Sequence, residues 1–254
     1  MSADSEVLVD EALQGFLSDL ASAIRSRSAF PSFPDDLSLG QAYEILPGLA
    51  GLACDSATRG LKAGLTNPDL QALFGLDEAL IGLLYDWGEL APGARLPFRR
   101  HTSIECELAL VLGTDGRPVS LAPAVEFVHL NFSVPEDFSP ANLVVSSLGA
   151  DSYLCGTPLP WGDVDLQTLE QTIIRLYRDG ELLQEASAVE SLGGPAQAAQ
   201  WCVEQAQKRG LVWDEGALLL TGTCGSALPA QAGEYSVDYG SLGTISFTIE
   251  ETPQ

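Results

Sequence analysis

The stretch Thr102-Ser-Ile-Glu-Cys-Glu-Leu-Ala-Leu-Val-Leu112 is mainly apolar but carries two acids, Glu105 and Glu107. We predict that it forms a buried β-strand. Side chains two apart on a strand point to the same face, so the two carboxylates share a face, with Cα atoms ~6.6 Å apart. Beyond Glu107 both faces are apolar, which is typical of a strand covered on both sides. The stretch therefore predicts a strand-rich core with charged groups inside it.

A second apolar run, Ala122-Pro-Ala-Val-Glu-Phe-Val-His-Leu130, contributes one more acid, Glu126. Buried like charges need a counter-charge or a proton. Three carboxylates converging in a core predict a site for a hard divalent cation, which prefers oxygen ligands. Two alternatives fit the same residues: Glu107 ends its strand, or an arginine pairs with each acid, since structural ion pairs also perturb carboxylates.

The composition predicts a cytoplasmic protein with one main domain. The chain has 254 residues and 46% hydrophobic content, enough for a real core and a small appendage. No apolar run reaches the length of a membrane span. The first six residues, Met1-Ser-Ala-Asp-Ser-Glu6, lack the basic and apolar regions of a signal peptide.

The charge and the cysteines exclude several classes of function. Twelve basic and 35 acidic residues give a net charge of −23, which argues against binding to nucleic acid or to an anionic membrane. A salt-adapted host explains this acid excess equally well. Five scattered cysteines without a C-x-x-C pair indicate neither a zinc site nor a disulfide framework. Two histidines are too few for a His-rich metal site.

Periodicity predicts an α+β fold, with a strand-rich mixed β-roll that follows a helical N-terminal segment. Residues 6–25 have helical spacing, and residues 41–46 form a second helix that either Asp36 or Ser38 caps. We divide the chain into a helical segment, residues 1–60, and a β-rich metal-binding catalytic domain, residues 61–254. The other predicted elements are strands at 59–66, 217–221 and 244–249, an apolar run at 79–85, extended pieces at 143–147 and 152–155, an Asp-Gly hairpin at 172–184, a helical turn at 69–74 and a helix at 195–208.

Six short motifs, in the same order along the chain, resemble those of a known family, the 2-keto-4-pentenoate hydratases and 4-oxalocrotonate decarboxylases of the fumarylacetoacetate hydrolase superfamily. Each motif is weak alone, and their ordered combination from about Leu13 to Phe247 carries the resemblance. The motifs are Gly60-Leu-Lys-Ala-Gly-Leu-Thr66, Ile104-Glu-Cys-Glu107, Pro123-Ala-Val-Glu-Phe127, Gly194-Pro195 with Trp201, Leu219-Leu-Thr-Gly-Thr223, and Gly240-Ser-Leu-Gly-Thr-Ile-Ser-Phe247.

The resemblance implies that Glu105, Glu107 and Glu126 hold a Mg²⁺ or Mn²⁺ ion, which acts as a Lewis acid on a small anionic 2-oxo acid. It also implies that Lys62 binds the substrate carboxylate or moves a proton near the metal, where the alternative is an exposed lysine at a strand end. The turn Thr221-Gly222-Thr223 matches a family turn whose hydroxyls donate to a carboxylate, where the alternative is an ordinary strand-end turn.

Four positions depart from the family pattern. Where the family has an acid and an arginine after its third glutamate, this chain has His129 and Asn131, and an Asp-Asn pair of the family falls on Ser146 and Ser147. As a strand residue three beyond Glu126, His129 faces the opposite side, which favours a packed, hydrogen-bonded histidine over a proton carrier. We expect these changes to alter the substrate tail rather than to remove the metal.

The resemblance implies a lyase of aromatic catabolism that hydrates a 2-hydroxy-2,4-dienoate. The alternatives are a 4-oxalocrotonate-type decarboxylase and a diverged, non-catalytic paralogue that keeps the fold. A third reaction of the superfamily, hydrolysis of a C–C bond in an acylpyruvate, normally needs a His-Glu pair that the sequence does not place. We expect a homo-oligomer, with a paralogous decarboxylase or hydratase as a further partner.

Overall fold

The computed structural model describes residues 11–35 and 37–251, which form two β-sheets and six α-helices. No helix among these residues is long and apolar enough to cross a membrane. The helices are α1 (Glu11–Ser26), α2 (Leu39–Ala53), α3 (Pro68–Leu73), α4 (Pro140–Val145), α5 (Leu166–Glu170) and α6 (Pro195–Lys208). The strands are β1 (Gly60–Gly64), β2 (Leu80–Leu84), β3 (Arg95–Pro97), β4 (Thr102–Leu112), β5 (Pro118–His129), β6 (Ala150–Cys155), β7 (Leu159–Pro160), β8 (Ile173–Arg178), β9 (Glu181–Ser187), β10 (Ala217–Leu220), β11 (Leu228–Pro229), β12 (Gly233–Asp238) and β13 (Thr244–Glu250).

The large sheet has the strand order β2-β1-β10-β4-β5-β6, with β11 paired to β4 and β7 paired to β5. The small sheet has the order β3-β13-β12-β8-β9. Most neighbours are antiparallel, and the parallel pairs are β1 with β10 and β3 with β13. The mixed, strand-rich architecture is the one predicted, and it is not built from parallel βαβ units.

The two acid-bearing stretches are adjacent antiparallel strands, β4 and β5. Their register places Glu105 directly opposite Glu126 and Glu107 opposite Ala124. Residues directly opposite each other in such a pair have side chains on the same face. The three carboxylates therefore share one face of the large sheet.

The large sheet curls around this face. Lys62 on β1 and Glu126 on β5 have two strands between them, β10 and β4, and in a flat sheet the two backbones would lie ~14 Å apart. The side chains nevertheless meet, with Lys62 Nζ 2.5 Å from Glu126 Oε1. The sheet is therefore a roll whose inner face carries the acids.

The N-terminal helices pack on the roll and share its apolar core. Ser38 caps α2 in a capping box: its hydroxyl accepts a hydrogen bond from the backbone N–H of Gln41, whose side chain accepts from the backbone N–H of Ser38. The Tyr43 hydroxyl accepts from the backbone N–H of Ile81 on β2, which ties α2 to the sheet. Residues 6–10 of the predicted first helix lie outside the described residues, and α1 begins at Glu11.

One detail of the sequence prediction was wrong, and another had been left open. A second helix was predicted over residues 41–46 with its continuation past Pro47 left open, and α2 continues through Pro47 to Ala53. Residues 143–147 were predicted to be extended, but 143–145 are the end of α4, which Ser139 caps and Pro140 opens. A short apolar run does not distinguish a strand from a buried helix, and here the cap decides.

Candidate metal and substrate site

The roll brings the three predicted acids together. One carboxylate oxygen from each of Glu105, Glu107 and Glu126 lies within 4.8 Å of the other two. Glu107 is 0% exposed and Glu126 is 1% exposed, whereas Glu105 is partly exposed. The cluster therefore lies inside the roll, and Glu105 lies on the side of the cluster that faces solvent.

The cluster is electrostatically unfavourable as three carboxylates alone. Burial raises the pKa of Glu107 well above its usual value, and the carboxylates of Glu126 and Glu105 raise it further. Burial also raises the pKa of Glu126, and the Lys62 ammonium offsets part of that rise. A positive charge at the cluster would relieve this repulsion.

Two oxygens of the cluster, Glu107 Oε1 and Glu126 Oε2, are buried and have no hydrogen-bond partner among the described residues. Unpaired buried acceptors are costly, and each needs a donor or a cation. Oxygen ligands of this kind suit Mg²⁺ and similar hard cations. The donor set fits a divalent cation, and no arginine lies within ion-pair distance of these acids, although all twelve basic side chains are described.

Lys62 is the cation of the site. It is 1% exposed, and its ammonium donates to Glu126 Oε1 at 2.5 Å and to the backbone carbonyl of Leu148 at 3.2 Å. Burial by itself lowers the pKa of Lys62, but the three carboxylates outweigh it, so that the pKa lies above its ordinary value. The side chain is therefore a buried ammonium, not the exposed strand-end lysine of the alternative interpretation.

The turn after β10 contacts the cluster through its backbone. The N–H of Gly222 donates to Glu107 Oε2 at 2.7 Å. Gly222 has φ +91°, and a Cβ there would lie 2.5 Å from Thr66 Cγ2 and 2.7 Å from Ser191 Oγ. Glycine is therefore required both for the backbone conformation and for the close approach.

The two threonines of this turn differ. The Thr221 hydroxyl donates to the carbonyl of Leu108 at 3.0 Å, so it is used inside the fold. Thr223 Oγ1 is buried and has no hydrogen-bond partner among the described residues. Of the turn residues singled out in the sequence, Thr223 thus has the hydroxyl that is free to bind a ligand.

The four family departures fall into two places. His129 lies on the opposite face from Glu126, is 6% exposed, and has Nδ1 2.9 Å from Thr102 Oγ1. Burial lowers the pKa of His129. The backbone carbonyl of Asn131 accepts from the N–H of Phe30. Asn131 thus connects the N-terminal segment to the chain after β5, and His129 bonds to β4 within the sheet, whereas Ser146 and Ser147 lie on the segment that leads to Leu148.

The sequence did not indicate two features of the site. The Leu148 carbonyl is a backbone group, and its direction follows from a turn that the sequence pattern does not predict. Ser191, whose hydroxyl donates to the carbonyl of Thr221 at 2.7 Å, comes from the segment before α6. Thr66 was part of the first quoted motif, so a signal for its position existed.

No family model matches the chain. Curated relatives do match. A 2-keto-4-pentenoate hydratase of Burkholderia vietnamiensis is 27% identical over 207 residues, which cover 76% of this chain and 78% of the relative. A 4-oxalocrotonate decarboxylase of Pseudomonas putida is 25% identical over 202 residues, covering 74% of this chain and 75% of the relative. The chain is a relative of the 2-keto-4-pentenoate hydratases and 4-oxalocrotonate decarboxylases. The resemblance read from the motifs is thus confirmed.

A solved structure has the same fold. The 4-oxalocrotonate decarboxylase from Pseudomonas putida G7, complexed with magnesium and adipate, superposes with a TM-score of 0.83 and covers 96% of this chain and 99% of its own. Sequence identity between the two is 20%. The predicted fold, a mixed β-roll with a helical N-terminal segment, is confirmed over almost the whole chain.

Proposed function

We propose that this protein is a divalent-metal-dependent lyase that acts on a small unsaturated 2-oxo acid. The observation that carries the proposal is the group of three converging carboxylates, two of them with unpaired buried oxygens, beside a buried lysine. The hydratase and decarboxylase relatives support the same class of reaction. Hydration of a 2-hydroxy-2,4-dienoate, as a step of aromatic catabolism, is the reaction we favour.

We assign Glu105, Glu107 and Glu126 as the ligands of a Mg²⁺ or Mn²⁺ ion. When bound, the ion supplies Lewis-acid stabilisation of the negative charge that develops on the 2-oxo oxygen. Glu107 is held for this role by the Gly222 N–H, and Glu126 by the Lys62 ammonium. Each of these two carboxylates thus uses one oxygen within the fold and presents the other to the cluster.

We assign Lys62 and Thr223 to the substrate. An ammonium has three N–H donors, and Lys62 uses two of them, on Glu126 and on the Leu148 carbonyl. The third N–H and the unpaired Thr223 hydroxyl would bind the substrate carboxylate or hold a proton next to it. In this proposal Thr221 and Gly222 shape the turn rather than donate to the substrate.

The charge of the site favours hydratase over decarboxylase. Three carboxylates, one ammonium and one divalent cation sum to zero before substrate enters. Lys62 is the one basic side chain of the twelve that pairs with an acid of the cluster. The second carboxylate of a 4-oxalocrotonate-type dicarboxylate would therefore enter a buried site without a counter-charge, which is costly. A monocarboxylate adds one negative charge to the neutral site instead of two, and so costs less.

Turnover measurements test the proposal. We expect 2-hydroxypenta-2,4-dienoate to be hydrated in the presence of Mg²⁺ or Mn²⁺ and not after chelation, at a higher kcat/KM than a 4-oxalocrotonate-type dicarboxylate is turned over. Faster decarboxylation of the dicarboxylate would establish the decarboxylase alternative. No turnover of any 2-oxo acid in a panel, with or without metal, would favour the non-catalytic paralogue.

Lys62→Met tests the assignment of the lysine. It keeps the apolar stem of the side chain as far as Cε but removes the charge and the donors, so we expect KM to rise and kcat to fall, with kcat/KM reduced roughly 100-fold. Lys208→Met is the matched control, because Lys208 is the chain's other lysine and is exposed beside Glu78. Parental rate and affinity in Lys62→Met would place the pocket elsewhere.

The division at residue 60, the cytoplasmic location and the assembly state belong to the proposal as well. We propose a homo-oligomer, and light scattering of the purified protein measures its mass. Co-purification with a paralogous decarboxylase or hydratase would show the second type of partner.

A further inference from the structure

Three consecutive residues ahead of β6 adopt left-handed backbone conformations: Ser147 with φ 52°, Leu148 with φ 55° and Gly149 with φ 69°. For residues other than glycine this conformation costs about 1 kcal/mol or more each. Such a turn persists only where neighbouring groups hold it. All three residues are buried, so the groups that hold the turn belong to the protein interior.

The Ser147 hydroxyl is the first of these groups. It accepts a hydrogen bond from the backbone N–H of Leu83 at 2.7 Å and donates one to the backbone carbonyl of the same residue, also at 2.7 Å. Leu83 lies on β2, the edge strand of the large sheet, where half of the backbone groups point away from β1. The Ser147 hydroxyl thus satisfies the two backbone groups of Leu83 that a further strand would otherwise pair with.

Two glycines on the inner face of the roll make room for Leu148. A Cβ at Gly64 on β1 would lie 2.8 Å from Leu148 Cδ1, and one at Gly82 on β2 would lie 3.2 Å from Leu148 Cγ. The Leu148 side chain therefore rests directly on the backbones of these strands. Its carbonyl points to Lys62 and accepts from the ammonium at 3.2 Å.

We propose that Ser147 is a positioning residue for Lys62: by fixing the left-handed turn on β2, it holds the Leu148 carbonyl that orients the buried ammonium. The Lys62 ammonium is held by two acceptors, the Glu126 carboxylate and the Leu148 carbonyl. The role of the turn in catalysis rests on the proposed function, but the clamping of the ammonium does not.

Loss of the Ser147 hydroxyl would leave the Leu83 N–H and carbonyl without their partner. The turn would then relax, and the carbonyl of Leu148 would move away from Lys62. The ammonium would keep its ion pair with Glu126 but lose its second acceptor, so it would sample other positions. Chemical accessibility of the Lys62 amine reports this movement directly, without substrate or metal.

The experiment compares Ser147→Gly with Ser146→Ala. Glycine adopts the left-handed conformation without strain, so Ser147→Gly isolates the loss of the hydroxyl. Ser146 is the matched control, because it is equally buried and its hydroxyl donates to the Leu143 carbonyl at the end of α4, away from Lys62. Reductive methylation of the metal-free protein is followed by mass spectrometry, with Lys208 as the internal reference.

We expect Lys62 in Ser147→Gly to be methylated at least fivefold faster than in the parent, while Ser146→Ala stays within twofold and Lys208 does not change. Ser147→Asn keeps a donor and an acceptor and tolerates the left-handed conformation, so it should remain close to the parent. With substrate, kcat of Ser147→Gly should fall at least tenfold.

A second variant perturbs the turn through Leu148 instead of through Ser147. Gly82→Ala keeps the Ser147 hydroxyl but places a methyl group against Leu148, and it should also speed methylation of Lys62. The proposal is overturned if Lys62 reacts at the parental rate in both Ser147→Gly and Gly82→Ala, whatever their melting temperatures. If methylation changes as expected but no variant or parent turns over a 2-oxo acid, the positioning role stands and the proposed function fails.

Discussion

Glu107 carries the strongest electrostatic conflict at the scale of single residues. Its carboxylate is fully buried, and two of the charges nearest to it are those of Glu105 and Glu126. The Gly222 N–H satisfies one oxygen and leaves the other without a partner. A fold that keeps such a group against its desolvation cost does so for a bound cation, in the interpretation we propose.

Glu107→Gln separates the contribution of the Glu107 charge to metal binding from its cost to the stability of the metal-free protein. Glutamine keeps the acceptor for Gly222 but removes the charge, so Mn²⁺ affinity should fall by ~10-fold or more. The metal-free variant should melt at a temperature no lower than the parent, because a buried like charge has gone. Mn²⁺ titration by calorimetry and thermal melts measure both effects. Glu181→Gln, the same change at an exposed position, is the control, and equal Mn²⁺ affinity in Glu107→Gln and the parent would contradict the metal assignment.

The sequence predicted the site residues unequally. The spacing of Glu105 and Glu107 fixes their common face, since strand alternation is a local property. The contact between Lys62 and Glu126 depends on how strongly the sheet curls. Local sequence patterns do not predict that curvature. The Leu148 carbonyl depends on a strained turn, and strain of this kind is visible only once the surrounding contacts are known.

At the scale of elements, a short apolar run caused the error at residues 143–147, and the capping residues before it would have prevented that error. Leu143-Val-Val favours a strand by composition, yet Ser139 and Pro140 start a helix there. Asp179-Gly180, by contrast, fixed the β8–β9 hairpin, because both residues adopt the positive φ that a tight turn requires. Boundaries are thus predictable where the turn chemistry is explicit.

Ser38→Ala tests the importance of one such boundary. The variant loses the hydroxyl that accepts from the Gln41 N–H at the start of α2, which should lower the free energy of unfolding by about 1 kcal/mol. Urea denaturation at fixed metal concentration measures the change. Ser18→Ala is the control: Ser18 is exposed within α1, where alanine is the better helix former, so no loss is expected. A loss of equal size in both variants would remove the capping box as the cause.

At the scale of the whole molecule, the sequence predicted the class of fold but not the strand order. β1 pairs in parallel with β10, more than 150 residues later in the chain, as Gly60 lies opposite Leu218. Such pairings are decided by the burial of both strands in one core, and periodicity carries no information about the partner. The prediction of a mixed β-roll rested on the hairpin, the acid-bearing strands and the helical period near the N-terminus, and none of these names a partner strand.

The boundary at residue 60 also belongs to this scale and stays a prediction. The two N-terminal helices bury Leu20, Leu46 and Leu49 against the same core as the sheet. We therefore expect a chain that begins at residue 59 to be insoluble or to bind a hydrophobic dye strongly, because the apolar surface under the helices becomes exposed. A soluble, metal-binding product of that length would show that residues 61–254 form an independent domain.

The excess of acidic over basic side chains produces electrostatic repulsion across the whole molecule. With 35 acidic and 12 basic side chains, at least 23 acids lack a basic partner even if every base is paired. Most of them lie on the surface, where their mutual repulsion favours the expanded, unfolded chain. The buried cluster adds to this repulsion when no cation is bound.

Salt should therefore stabilise the protein. The way in which the melting temperature depends on NaCl concentration shows whether screening of surface repulsion is the cause. The Debye length falls from ~10 Å at 0.1 M salt to ~3 Å at 1 M, so screening gains most of its effect at the low end. We expect the melting temperature in the presence of a chelator to rise steeply between low and moderate NaCl and then to level off. In a chain of this size each kcal/mol of relieved repulsion raises it by about 2–4 °C. Sucrose of equal osmolality is the control for solvent exclusion. A melting temperature that does not change with NaCl concentration, or that rises equally with sucrose, would show that surface repulsion does not limit the stability of this fold.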